Sequence, residues 1–136
     1  MKLVITSDSD VLSARLLSIF SGIASLEIAA LVKDISETQY AINIFEPEVL
    51  ILSQHRLDES VSNNLKQIKS LNQHLLIIVL SDDTSPEYLR WWDKAGADYI
   101  FDKAFHFNRV VDLLCDLLYK KQLDAFNTGQ NIQIKH

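Results

Sequence analysis

Apolar residues along this chain fall into short runs separated by longer amphipathic stretches. Residues 3–5, 49–52 and 75–80 are apolar, bounded by polar residues and too short for a buried helix. Each predicts a strand covered on both faces. Residues 26–32 form a fourth run with only Glu27 polar, and 99–101 a fifth, after the turn signal Ala95-Gly96-Ala97-Asp98. Helical patterns fill the gaps. Asp10 is placed as the cap of a helix whose inner stripe is Leu12, Leu16, Ile19 and Ile23. Asp34 caps a second, with Glu37 at the capping-box position. That helix stops before Pro47, because proline disfavours helical geometry in the residue before it. A third covers 60–70, with Leu65 and Ile68 inward. A fourth opens on Ser85 as cap and Pro86 at the first helical position, then Glu87, and ends at Gly96. The last runs from about 108 to 121 with Val110, Val111, Leu114, Leu117 and Leu118 on one side, its lysines at the negative end of the helix dipole.

Strand and helix therefore alternate five times. This order predicts an α/β domain with a parallel sheet and helices on both faces. Ligand chemistry in such sheets collects at the carboxyl ends of the strands. The domain is read as 1–122, and 123–136 as a polar tail, poorly ordered or a weak edge element, because only Ile132 and Ile134 alternate in it.

Composition narrows the classes. At 136 residues the chain makes one domain by size. Thirteen basic and eighteen acidic residues leave a net charge of −5, which argues against a binder of the nucleic-acid backbone. The single cysteine, Cys115, excludes a disulfide framework and a cysteine-based zinc site. It is read as core or boundary packing in the last helix. No apolar run reaches the roughly 20 residues of a membrane span. Residues 1–6 enter a strand directly with no signal-peptide layout, so the expected compartment is the cytoplasm.

The strand ends gather hydroxyls, acids and one ammonium. Ser7, Asp8 and Asp10 follow the first run, Ser53 and His55 the second, Ser81, Asp82 and Asp83 the third, and Lys103 the last. Carboxylates facing a lysine are raw material for a Mg²⁺ and phosphoryl site. Capping and turn formation account for Asp10, Asp82 and Asp83 without any ligand. Asp8 and Lys103 directly follow buried strands and point to the shared crevice.

Five stretches resemble the receiver domain of two-component response regulators, the CheY-like family. They are Leu3-Val4-Ile5-Thr6-Ser7-Asp8-Ser9, Pro47-Glu48-Val49-Leu50-Ile51-Leu52-Ser53, Ile77-Ile78-Val79-Leu80-Ser81, Ala95-Gly96-Ala97-Asp98-Tyr99 and Asp102-Lys103. The resemblance implies a flavodoxin-like (βα)5 three-layer sandwich with a five-stranded parallel sheet in order 2-1-3-4-5. It also implies a phosphorylation pocket at Ser7, Asp8, Ser53, Ser81 and Lys103. The pocket departs from the family pattern. The phosphorylated Asp falls on Ser53, and the first of two metal-binding acids on Ser7, leaving Asp8 as the second. The proline after the lysine is Ala104, and the switch aromatic falls on Ile100. Serine cannot form an acyl phosphate, and its hydroxyl needs a general base to act as a nucleophile. A cation held by Asp8 alone loses most of its ligand charge. Lys103, without its partner at 53, is expected to pair with Asp8.

The resemblance thus implies a pseudo-receiver: a signalling module that is not an enzyme, carries no cofactor beyond a weakly held Mg²⁺, and acts through protein contacts. The alternative is a working phosphoacceptor that uses a non-standard residue. The expected partner is a kinase, another receiver or an effector, with no nucleic acid and no membrane involved. The family's output face, made by the fourth helix, fifth strand and fifth helix, would carry Tyr88, Trp91, Tyr99 and His106, and could also serve a homodimer. Helical register turns Trp92 inward and leaves Trp91 at least half exposed.

Overall fold

The computed structural model describes residues 1–55, 57–104 and 107–134. In chain order its elements are β1 (Lys2–Ser7), α1 (Asp10–Phe20), β2 (Glu27–Val32), α2 (Ile35–Phe45), β3 (Val49–Ser53), α3 (Glu59–Leu71), β4 (Leu76–Ser81), α4 (Pro86–Ala95), β5 (Tyr99–Asp102) and α5 (Phe107–Ile134). All pairings are parallel, and the sheet order is β2-β1-β3-β4-β5. The flavodoxin-like architecture expected from the sequence is the one observed.

The three central strands explain the sandwich. Side chains alternate across a strand, so a strand buried on both sides must be apolar at every position. Val4, Leu50, Leu52, Ile77 and Val79 face one way and pack with Ile42 of α2, Leu65 of α3 and Trp92 of α4. Leu3, Ile5, Val49, Ile51, Ile78 and Leu80 face the other way and pack with Leu16 and Phe20 of α1 and Val110 and Leu114 of α5. Two cores, one per face, clamp the sheet between two helical layers.

The helix boundaries follow local chemistry. Asp34 caps α2, accepting from Ser36 N–H, and Asp58 caps α3, accepting from Val61 N–H. α2 stops at Phe45, and Glu46 takes a left-handed turn at φ 48° just before Pro47. α4 opens on Pro86 and closes on Gly96 at φ 110°. Three boundaries differ from the sequence reading. Ser9, not Asp10, caps α1, because its side chain reaches the Leu12 N–H. α1 ends at Phe20, whose buried ring joins the inner stripe, and Ile23 packs on the same core from beyond the helix end. The last helix does not stop near 121 but continues to Ile134. Residues 122–134 hold no proline and only Gly129 as a weak breaker, so the backbone stays helical there. Cys115 is exposed on this helix rather than packed.

Gly96 is the position where backbone geometry matters most. A Cβ there would adopt a conformation L-residues rarely take and would meet the Lys69 Cβ at 3.1 Å. Gly96→Ala is expected to cost about 1–3 kcal/mol. Gly22→Ala, whose Cβ meets nothing nearer than the Ile19 carbonyl at 3.5 Å, should stay within about 0.5 kcal/mol of wild type. Urea unfolding of the two variants checks this, and equal losses contradict it.

Candidate functional site

Parallel sheets of this order have a switch point where neighbouring strands send their connections in opposite directions. Here it lies between β1 and β3. The register sets Ser7 opposite Ser53 across it, and on the other side Ser81 lies opposite Asp102. The Asp8 N–H donates to the Ser53 carbonyl at 3.4 Å, and the Lys103 N–H to the Ser81 carbonyl at 3.1 Å. The backbone thus brings Ser7, Asp8, Ser53, Ser81 and Lys103 to one end of the sheet.

The hydroxyls are withdrawn from solvent. Ser7 and Ser53 are each 2% exposed, and Ser81 is buried too. Ser7 Oγ donates to the Ser9 carbonyl at 3.3 Å and accepts from the Ser9 N–H at 3.2 Å. Ser81 Oγ donates to the Asp83 carbonyl at 2.8 Å and accepts from the Asp83 N–H at 3.2 Å. Both close small loops within their own strand ends.

The charged groups pair differently from the sequence expectation. Asp8 does not take Lys103. Its Oδ2 accepts from the His55 N–H at 2.8 Å, and its Oδ1 lies 2.8 Å from His55 Nδ1. An ionised carboxylate only accepts, so Nδ1 carries the proton in this contact. His55 Nε2 lies 3.9 Å from Asp82 Oδ2. Lys103 reaches Asp82 Oδ1 at 2.9 Å. Asp82 is therefore the lysine's counter-charge and not merely a turn residue. Two close pairs result, Asp8 with His55 and Asp82 with Lys103, and the His55 Nε2 edge lies between them. The signal for His55 was its position, two residues past β3 at the same sheet end as Asp8. Burial pushes the Asp8 carboxyl up, but the His55 backbone N–H, the ring bond and the ring's charge together pull it below its ordinary value of 3.8.

This donor set does not fit a Mg²⁺ cage. Mg²⁺ keeps several of its waters and is held by one or two carboxylates that are free to face it. One expected acid is Ser7, both Asp8 oxygens face His55, and Asp82 faces Lys103. Among the described residues no group of three or more His, Cys, Asp or Glu comes together as a metal site.

The aromatic residues assigned to one output face are split. Trp91 packs against the core on the α2–α4 side, edge-on to Trp92 with centroids 4.8 Å apart. It is half-buried, less exposed than its register suggested, because the Trp92 ring gives it a surface to lie against. Tyr99 stacks on Phe101 at 6.2 Å, and Phe101 packs on the α1–α5 side. His106 lies outside the described residues. At the opposite end of the sheet a groove of about 580 Å³ has an apolar floor of Val49, Leu75, Leu76 and Leu117. Its rim mixes Lys120 and Asp124 with a closed Lys121–Glu48 pair of 2.7 Å, so its charge favours no ligand. No helix among the described residues is long and apolar enough to cross a membrane.

Comparison with solved structures places the fold. The chain is similar to the signal receiver domain of the putative response regulator NarL from Mycobacterium tuberculosis, with TM-score 0.73 at 15% identity over 85% of this chain and 94% of that one. It is similar to the response regulator domain of Thermotoga maritima CheB, with TM-score 0.70 at 16% identity over 88% and 94%. It is also similar to the isolated receiver domain of RcsB from Salmonella enterica serovar Typhimurium, with TM-score 0.67 at 19% identity over 76% and 77%. No protein-family model matches the chain, and no curated protein matches it in sequence. The chain has the receiver fold of response regulators.

The Asp8–His55 pair makes a small stability contribution that depends on acid pH. The folded Asp8 carboxyl lies below 3.8. Its contribution is therefore full above the ordinary carboxylate value and is lost as pH falls through the folded one. In His55→Ala the carboxyl should titrate closer to 3.8, and the acid limb of unfolding should shift up with it. Carbon-13 NMR titration of Asp8 reads this directly, and an unchanged titration contradicts the pairing.

Proposed function

We propose that this chain is a receiver-type signalling module, allied to two-component phosphorelays, that works by binding a protein partner without accepting a phosphoryl group at its strand ends. The carrying observation is the serine at the end of β3. Ser53 lies opposite Ser7 at the switch point, where the receiver resemblance calls for a carboxyl group. An alcohol cannot form an acyl phosphate. As a nucleophile it needs a base within hydrogen-bond reach. The described contacts of His55 go to Asp8 and Asp82, not to Ser53.

The surrounding electrostatics support the same reading. In a responsive site, arriving phosphoryl charge must find unpaired cations and a bound metal. Here Lys103 is already paired with Asp82, and both Asp8 oxygens are engaged by His55. A change of state triggered by phosphoryl charge would have to break those pairs first. The module then acts without turnover, as a cytoplasmic contact protein whose partner is a kinase, another receiver or an effector. A second copy of the chain is one candidate for that partner.

Incubation with acetyl phosphate or phosphoramidate and Mg²⁺, followed by intact-mass measurement, tests the reading. No phosphoryl adduct is expected. A stoichiometric adduct lost in Ser53→Ala or Asp8→Asn would overturn it in favour of a phosphoacceptor built on a non-standard residue.

A further inference from the structure

α4 turns a distinctive set of side chains toward its seam with α3. Glu87, Tyr88 and Trp91 line a groove of about 240 Å³, and Leu57, from the segment leading into α3, forms its other wall. The lining is two aromatic rings, one aliphatic side chain and one carboxylate. Trp91 is braced: it meets Trp92 edge-on at 86°, and Trp92 is 1% exposed. Its indole is held against the protein rather than free to turn away.

Size and charge decide what such a groove takes. Cofactor-sized and drug-sized ligands occupy roughly 300–1,000 Å³, so a groove of about 240 Å³ suits one long side chain better. An aromatic face attracts a cation through its quadrupole, most strongly for tryptophan. Glu87 supplies a counter-charge at the same place. Glu59 opens α3 and Asp83 precedes α4, both exposed, and the chain carries −5 overall. That field draws in a basic segment and repels an acidic one. Arg90 and Lys94 are exposed on the same helix and are not part of the groove lining, so the carboxylate of Glu87 is the charge that faces the groove. Guanidinium fits this lining better than ammonium, because it is planar, stacks on rings and is weakly hydrated.

We propose that the groove is the docking point for an arginine side chain carried on a basic segment of the partner protein. The proposal rests on the reading above that the chain acts by protein contact, and it names the chemistry of that contact. Arginine lies flat on Trp91 and Tyr88 with its guanidinium against Glu87. Leu57 belongs to the stretch that His55 pins to Asp8. The groove and the closed strand-end site therefore share one loop.

The test is a random heptapeptide library displayed on phage and selected on the full chain, on Glu87→Gln and on Trp91→Leu. Wild type should enrich arginine-bearing peptides. A synthetic copy of the leading peptide should bind about 2- to 30-fold more weakly to Trp91→Leu by calorimetry, the range a cation–ring contact supports, and about 1.5- to 5-fold more weakly to Glu87→Gln, the range of an exposed ion pair. Replacing its arginine by norleucine should weaken it similarly. Glu87 is exposed, so Glu87→Gln keeps the fold and decides the matter even if Trp91→Leu unfolds. Enrichment of acidic or purely apolar peptides, no enrichment, or equal binding by Glu87→Gln overturns the proposal. Failure of the functional reading looks different: it appears as a phosphoryl adduct whatever the library returns.

Discussion

A carboxylate at the mouth of a parallel sheet needs a partner, and in this chain Asp8 finds it in His55. Two contacts of 2.8 Å, one from the backbone and one from the ring, bind the loop after β3 to the end of β1. The rest of the strand-end arrangement follows. With Asp8 committed, Lys103 turns to Asp82, and His55 Nε2 faces the same carboxylate from the other side. Asp8, Asp82 and Lys103 each have a partner within the protein. Such pairs, partly open to water, add little to net stability, but they fix which side chains remain free to meet a ligand.

The buried hydroxyl of Ser53 and the pairing of Asp8 belong to one logic. A carboxyl group at 53 would add a negative charge beside Asp8 and Asp82 and would call for a cation among them. A buried hydroxyl, 2% exposed, adds none. The site then needs no metal to offset repulsion. The sheet beneath is unaffected, because Ser7 and Ser53 occupy strand ends and the two cores lie below them.

The fold was legible because each strand and helix carries a period of its own. The β3 and β4 runs are apolar at nearly every position, and that pattern has few readings besides a doubly covered strand. Asp34, Pro47, Pro86 and Gly96 mark boundaries by chemistry that acts within a few residues. The misses came where several local choices were equivalent or where distance in sequence was large. Ser7, Asp8, Ser9 and Asp10 can all cap a helix, and only backbone direction selects Ser9. The end of α5 had no sharp stop signal. Lys103 had two carboxylates within plausible reach, and no periodicity tells which is nearer. His55 sits in a loop, where pairing is decided by tertiary placement alone. Register turns Trp92 inward as observed, but it does not show that the Trp92 ring and the core edge cover part of Trp91.

The most direct test of the closed site is a titration with Mg²⁺ and beryllofluoride, followed by amide NMR shifts of residues 7–8, 53–55, 81–83 and 103. A site whose charges are already paired predicts no saturable, localised shift, with the Asp8–His55 and Asp82–Lys103 contacts retained throughout. Saturable shifts confined to those residues, together with release of His55 from Asp8, would contradict the account at its root.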